Sequence, residues 1–218
     1  MKSVLICISI VTTIAITFCH GQFSTPWLRT PIITVLSASD ADLRLGLVDD
    51  AVTFWNKTLD EVGSGFQLGP VTRVVGPVPE YALRSLSDAI VAGQRGPGIV
   101  PGALQNIPGD IIVILANSNF VSFASPFFGR SKRIVGIKGM QYPPFTLPNV
   151  ARNVIAHEIG HVIGLGHNAD PTMLMCGRPA PCRPNLFRSD EPRVFPLSED
   201  EKNSLRLMYP GHWKPQEQ

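Results

Sequence analysis

The sequence predicts a single α+β domain. Three observations carry that expectation. Apolar β-branched runs fall in the first two-thirds of the chain, amphipathic stretches flank them, and turn residues are dense between, with 20 prolines and 19 glycines in 218 residues. That length suits one domain with an ample core, or at most two small ones. Hydrophobic residues make up 44% and charged residues 17%, which excludes a disordered chain or one spanning membranes throughout. A net charge of +2, with Lys and Arg scattered, points to neither nucleic acid nor an anionic surface.

Residues 1–21 stand apart. Met1 and Lys2 make a basic start, residues 4–18 are almost unbrokenly apolar or small, and Cys19, His20 and Gly21 lead into polar Gln22. This is the pattern of an export signal cut after Gly21. A retained anchor is the alternative, but the apolar run is shorter than the ~20 residues that span a bilayer. Residues 32–36 then read as a strand. Ser39 or Asp40 caps a helix to about residue 61, on which Leu43, Leu47, Ala51, Phe54, Trp55 and Leu59 recur at helical spacing. Residues 66–75 form another strand, broken by Gly69 and Pro70, and residues 81–92 a weaker helix.

A loop rich in Gly and Pro follows over residues 93–109. Asp110 opens the strongest strand, residues 111–115, whose continuous apolar run implies burial on both faces. Residues 133–138 form a shorter strand, placed at a sheet edge and guarded by Lys132 and Lys138. Asn149 caps a helix over residues 150–163, which Gly164 ends. The last helix covers residues 198–208, with Ser198, Glu199 and Glu201 at its start. Cys7 and Cys19 would leave with the signal. Cys176 and Cys182 remain, and an even pair in an exported chain reads as a disulfide.

The chemistry concentrates in His157-Glu158-Ile159-Gly160-His161-Val162-Ile163-Gly164-Leu165-Gly166-His167. Residues four apart on a helix share a face, so His157 and His161 can converge on one metal ion. Glu158 is rotated from that pair and can reach a bound water without ligating. Gly164 lets the chain turn left-handed and bring His167 round as a third nitrogen. Three neutral imidazoles with one open position describe a catalytic zinc site. At ~5% usage per residue, five fixed positions recur by chance about once in a few million windows. In such a site Glu158 would take the proton of a zinc-activated water and pass it to the leaving amine, hydrolysing a peptide bond.

This stretch resembles the signature of the metzincin metalloendopeptidases, an extended histidine motif followed by a methionine-containing turn. Met175, eight residues after His167, stands where the matrixin (matrix metalloproteinase-like) branch places its turn methionine. The resemblance implies a twisted mixed sheet, a long active-site helix and a small C-terminal lobe. It also implies that Met175 floors the metal without ligating it. An edge strand binds substrate in that family, which would place Ile134, Val135, Gly136 and Ile137 against the polypeptide. The expected organisation is a signal at 1–21 and a catalytic domain at 22–218, with an upper lobe at 22–166 and a lower lobe at 167–218.

The departures are also informative. No histidine lies between His20 and His157, so one catalytic zinc and no structural zinc is expected, and the sequence supports no calcium site. Only Cys7 and Cys19 precede the motif, so the family's inhibitory cysteine pro-segment is not expected. After Met175 the family's Tyr-Pro is replaced by Cys176-Gly177, with Pro179, Pro181 and Pro184 beyond. A Cys176–Cys182 bridge is expected to stiffen that wall of the cleft. The expectation is thus a secreted monomeric zinc endopeptidase acting on polypeptide, without nucleic acid or lasting membrane association. The rival is a zinc-binding homologue without catalysis. Such proteins usually lose the glutamate, which is present here as Glu158. Asn56-Lys-Thr58 is formally a glycosylation acceptor, but it falls within a predicted helix.

Overall fold

The computed structural model describes residues 25–93, 101–125, 132–177, 182 and 191–216. The expected signal, with Cys7 and Cys19, lies outside them, as do Pro179, Pro181 and Pro184. Along the chain run β1 (Ile33–Ser37), α1 (Arg44–Glu61), β2 (Val71–Val75), α2 (Glu80–Val91) and α3 (Gly102–Gln105). Then come β3 (Ile111–Leu115), β4 (Phe123–Ala124), β5 (Arg133–Ile137), α4 (Pro148–Val162) and α5 (Glu199–Met208).

The strands form one sheet in the order β2-β1-β3-β5-β4, parallel except for β4, which runs antiparallel to β5. Strands buried on both faces read as unbroken apolar runs, and β3 is such a strand. Its Ile111, Val113 and Leu115 join the core under α1, α4 and α5, while Ile112 and Ile114 join a second core with Leu83, Leu86 and Leu104. The sheet is therefore mixed and covered by helices on both faces, the α+β arrangement expected. Trp55, fully buried, ties α1 to α4 by donating from Nε1 to the carbonyl of Ala156 at 2.9 Å.

Several local expectations are corrected. Strand β5 is not an edge: it pairs with β3 on one side and β4 on the other, and all five of its residues are buried. The short β4 takes the edge, and the added-strand role assigned to Ile134, Val135, Gly136 and Ile137 is blocked on both sides. Asn149 does not cap α4. That helix starts at Pro148, whose missing N–H costs nothing at a first turn. The Asn149 side chain instead donates to the Glu191 carbonyl at 2.6 Å and accepts from the Arg193 N–H. Residues 66–70 are not strand, and the loop at 93–109 contains α3. Asn56 is committed to the backbone of Leu68, donating to its carbonyl and accepting from its N–H, so the formal glycosylation acceptor is part of the fold.

The C-terminal carbonyls of α4 are satisfied from far along the chain. Trp27 Nε1 donates to the Val162 carbonyl at 2.9 Å, and Arg133 donates to the same oxygen and to Thr25. The Arg133 guanidinium lies 4.1 Å from the Trp27 ring centroid. The Tyr209 hydroxyl donates to the Ile163 carbonyl at 2.8 Å and accepts from the Trp27 N–H. Burial pushes the Tyr209 pKa up to about 12, so it remains a donor at all ordinary pH. Among the described residues no helix is long and apolar enough to cross a membrane.

Gly136 is where β5 admits β4. It lies opposite Phe123, and a Cβ there would stand 2.6 Å from the Phe123 ring. We predict that Gly136→Ala lowers the unfolding free energy by about 1–3 kcal/mol through overpacking. The measurement is a urea melt, in which the midpoint falls at unchanged slope.

Candidate metal centre

His157 and His161 lie one turn apart on α4, and each has its Nδ1 against a carbonyl. The His157 partner is Leu174 at 2.7 Å, and the His161 partner is Leu165 at 2.8 Å. A carbonyl only accepts, so both Nδ1 atoms carry the proton and both Nε2 atoms present a lone pair in the neutral ring. Those two Nε2 atoms are 3.0 Å apart. His167 brings its own Nε2 to 3.2 Å from His157 and 2.9 Å from His161. Two nitrogens on one tetrahedral zinc at 2.0–2.1 Å are separated by about 3.3 Å, close to these spacings. Lone pairs this close repel unless a proton or cation lies between them. Three nitrogen donors of this kind suit zinc. Among the described residues no other metal-capable cluster occurs.

Each ligand has an identifiable support. After α4, Gly164 adopts φ 115°, where a side chain would be strained, and the chain reverses toward His167. Leu165 N–H bonds back to the Gly160 carbonyl at 3.0 Å, which fixes the Leu165 carbonyl beneath His161. Asn168 and Cys176 then pair as a short parallel bridge, with Asn168 N–H on Met175 O at 2.9 Å and Gly177 N–H on Asn168 O at 3.0 Å. The four residues from Leu174 to Gly177 touch the centre at three points. The Leu174 carbonyl orients His157, Met175 packs beneath α4, and Gly177 lies against the His167 ring.

Met175 is fully buried. A Cβ on Gly160 would meet its sulfur at 2.5 Å and the Trp55 ring at 2.8 Å, so the methionine fits only because α4 has glycine between its two histidines. Cys176 and Cys182 are joined as a disulfide, as expected. Glu158, next to His157 on the helix, is also buried at 7% exposure. His161 is half-buried, and loss of hydration together with the neighbouring His167 lowers its pKa from the ordinary 6.5 to about 4. Its imidazole is therefore neutral at physiological pH, as a metal ligand must be.

The structure thus brings His157, His161 and His167 together, sets Glu158 beside them, and keeps Ile134, Val135, Gly136 and Ile137 inside the sheet. Sequence reasoning missed the carbonyls of Leu165 and Leu174, the packing role of Gly160 and the position of Gly177. Backbone carbonyls leave no mark in a sequence. Gly177 had one visible signal, its departure from the family's Tyr-Pro.

No family model matches the chain. Human matrix metalloproteinase-27 is 28% identical over 162 residues, 64% of this chain and 29% of that protein. Matrix metalloproteinase-27 of Tupaia belangeri is 40% identical over 58 residues, 27% of this chain and 10% of that protein. The chain therefore spans less than a third of either relative. Among solved structures, archaemetzincin from Methanopyrus kandleri has a TM-score of 0.44 at 14% identity, covering 85% of this chain and 96% of that one. Metalloproteinase-II from Bacteroides fragilis has a TM-score of 0.46 at 14% identity, covering 85% of this chain and 54% of that one. Over 64% of its length the chain is similar in sequence to a matrix metalloproteinase, and within that likeness its three histidines form a metal-capable cluster.

Proposed function

We propose that the chain is a secreted zinc-dependent endopeptidase whose catalytic domain covers residues 22–218, divided after residue 166 into two lobes. The carrying observation is the convergence of two tautomer-fixed Nε2 atoms 3.0 Å apart with a third imidazole. His157, His161 and His167 hold the metal, and Met175 is the apolar floor. When bound, zinc supplies Lewis acidity toward the substrate carbonyl and lowers the pKa of a water to about 7.

Glu158 supplies the proton chemistry. Its carboxylate accepts the proton of the attacking water and returns it to the nitrogen of the departing amine. Its place on α4 directly after His157 supports this role. The polypeptide docks along the open side of β4 as an added strand, replacing the earlier expectation at β5. The Cys176–Cys182 disulfide supports an oxidising, extracellular setting, and the apolar start of the sequence supports export.

The test pairs zinc content with cleavage of a denatured protein. The parent chain should bind one zinc per molecule and cleave. Glu158→Gln should keep its zinc and lose about 10²–10⁴-fold in rate, the range for general acid–base catalysis. Bound zinc with no cleavage over a broad range of polypeptides would shift the assignment to the non-catalytic homologue, and absence of zinc binding would remove the site itself.

A second outcome concerns acid. The folded chain resists protonating His161 until about pH 4, whereas the unfolded chain takes that proton near 6.5. Between those values the unfolded state binds more protons, so the stability tied to this neutral ring is whole above pH 6.5 and is lost as pH falls toward 4. Thermal melts of metal-free protein should show this slope, and His161→Gln should flatten it.

A further inference from the structure

We infer that Gly177 is a positioning residue for the third metal ligand. With Cys176 tied into its disulfide, the backbone here passes so close to the His167 ring that a Cβ at 177 would collide with it, although the family it resembles carries proline at this position. This inference rests on the reading of His167 as a ligand. A Cβ at position 177 would collide with His167 Cγ and stand 2.5 Å from Nδ1 and 2.6 Å from Cδ2. All are far inside van der Waals contact, and all belong to the ring. Either the backbone or the imidazole must give way.

The backbone at 177 is held on two sides. Its N–H is bonded to the Asn168 carbonyl at 3.0 Å. The preceding residue, Cys176, is 3% exposed, paired with Asn168 and covalently joined to Cys182. Asn168 is fixed in turn, its side chain donating to Glu201 and accepting from the Asp170 N–H. Glu201 is itself bound into the capping box of α5 with Ser198. Retreat of residue 177 would therefore disturb the disulfide, the bridge and the start of α5 together. The ring is the softer party, because it is exposed and joined to the chain through rotatable bonds. A methyl group at 177 would turn the His167 Nε2 out of the three-nitrogen cluster.

The experiment measures zinc affinity by chelator competition on the full mature chain, for the parent, Gly177→Ala, His167→Ala and the double variant. Cobalt(II) spectra serve as a count of nitrogen ligands. The inference predicts that Gly177→Ala weakens zinc by about 10–100-fold, the usual effect of losing a support behind a ligand. The cobalt spectrum of Gly177→Ala should approach that of His167→Ala. In the His167→Ala background the glycine change should cost nothing further, because the ring it displaces is gone. Unchanged affinity, or an equal loss with and without the ring, would overturn the inference while leaving the zinc site intact. A parent that binds no zinc would remove the metalloprotease reading and this inference with it. Should Gly177→Ala fail to fold, metal-free melts decide. A double variant as stable as His167→Ala supports the inference, and one that also fails to fold refutes it.

Discussion

Two imidazoles one helical turn apart can share an ion only if each gives up its other nitrogen to a fixed acceptor. The centre depends on that constraint. Without the Leu174 and Leu165 carbonyls, each ring would choose between tautomers, and half of those choices would place an N–H where a lone pair is needed. The rest of the chain beyond α4 is arranged to hold those acceptors still. Leu174 N–H is anchored on the Pro196 carbonyl, and residues 191–195 are drawn against α4 by Asn149 and Asn153. The segment that carries Leu174 therefore cannot drift from the helix that carries His157. A carbonyl at one end of Leu174 and a methionine next to it are consequences of the same docking.

Magnitudes separate what stabilises this arrangement from what decorates it. Arg73 with Asp49 and Arg152 with Asp50 are ion pairs with at least one exposed partner, and such pairs contribute about 0–1 kcal/mol each. The cap on the end of α4 weighs more. Leaving the Val162 or Ile163 carbonyl buried without a donor would cost about 1–3 kcal/mol apiece. Trp27, Arg133 and Tyr209 supply those donors with little exposure to water. The helix end that precedes the Gly164 turn is thus held by buried hydrogen bonds, one of them from the Arg133 guanidinium, and a cation–π contact rather than by exposed surface charge. Salt should affect it little.

Local rules carried far in some places and failed in others. The three histidines were readable because helical spacing is a fixed ruler and Gly164 marks where that ruler ends. Strand β3 was readable because burial on both faces writes an unbroken apolar run. Strand β4 was invisible, since two residues carry no periodicity, and the mistaken edge position of β5 followed from that omission. Asn149 has the chemistry of a cap but spends it on residues 191 and 193, a tertiary use that no local pattern announces. Gly177 shows the same limit. Its need for a missing side chain comes from a ring ten residues earlier, and only the folded chain brings the two together.

The cap on α4 also orders events during synthesis. Trp27 bonds to Tyr209 and Trp213 across 182 and 186 residues of sequence, and Gln216 bonds back to Leu28. A chain emerging from the ribosome can pair β1, β2, β3 and β5 early, since those partners are all made before α4. The Val162 carbonyl finds donors already made, but the Ile163 carbonyl beside it must wait for Tyr209, so the end of α4 is completed only late in synthesis. The scaffold is laid down first and the three-histidine centre is finished last, so a partly made polypeptide carries the histidines without the geometry that brings them together.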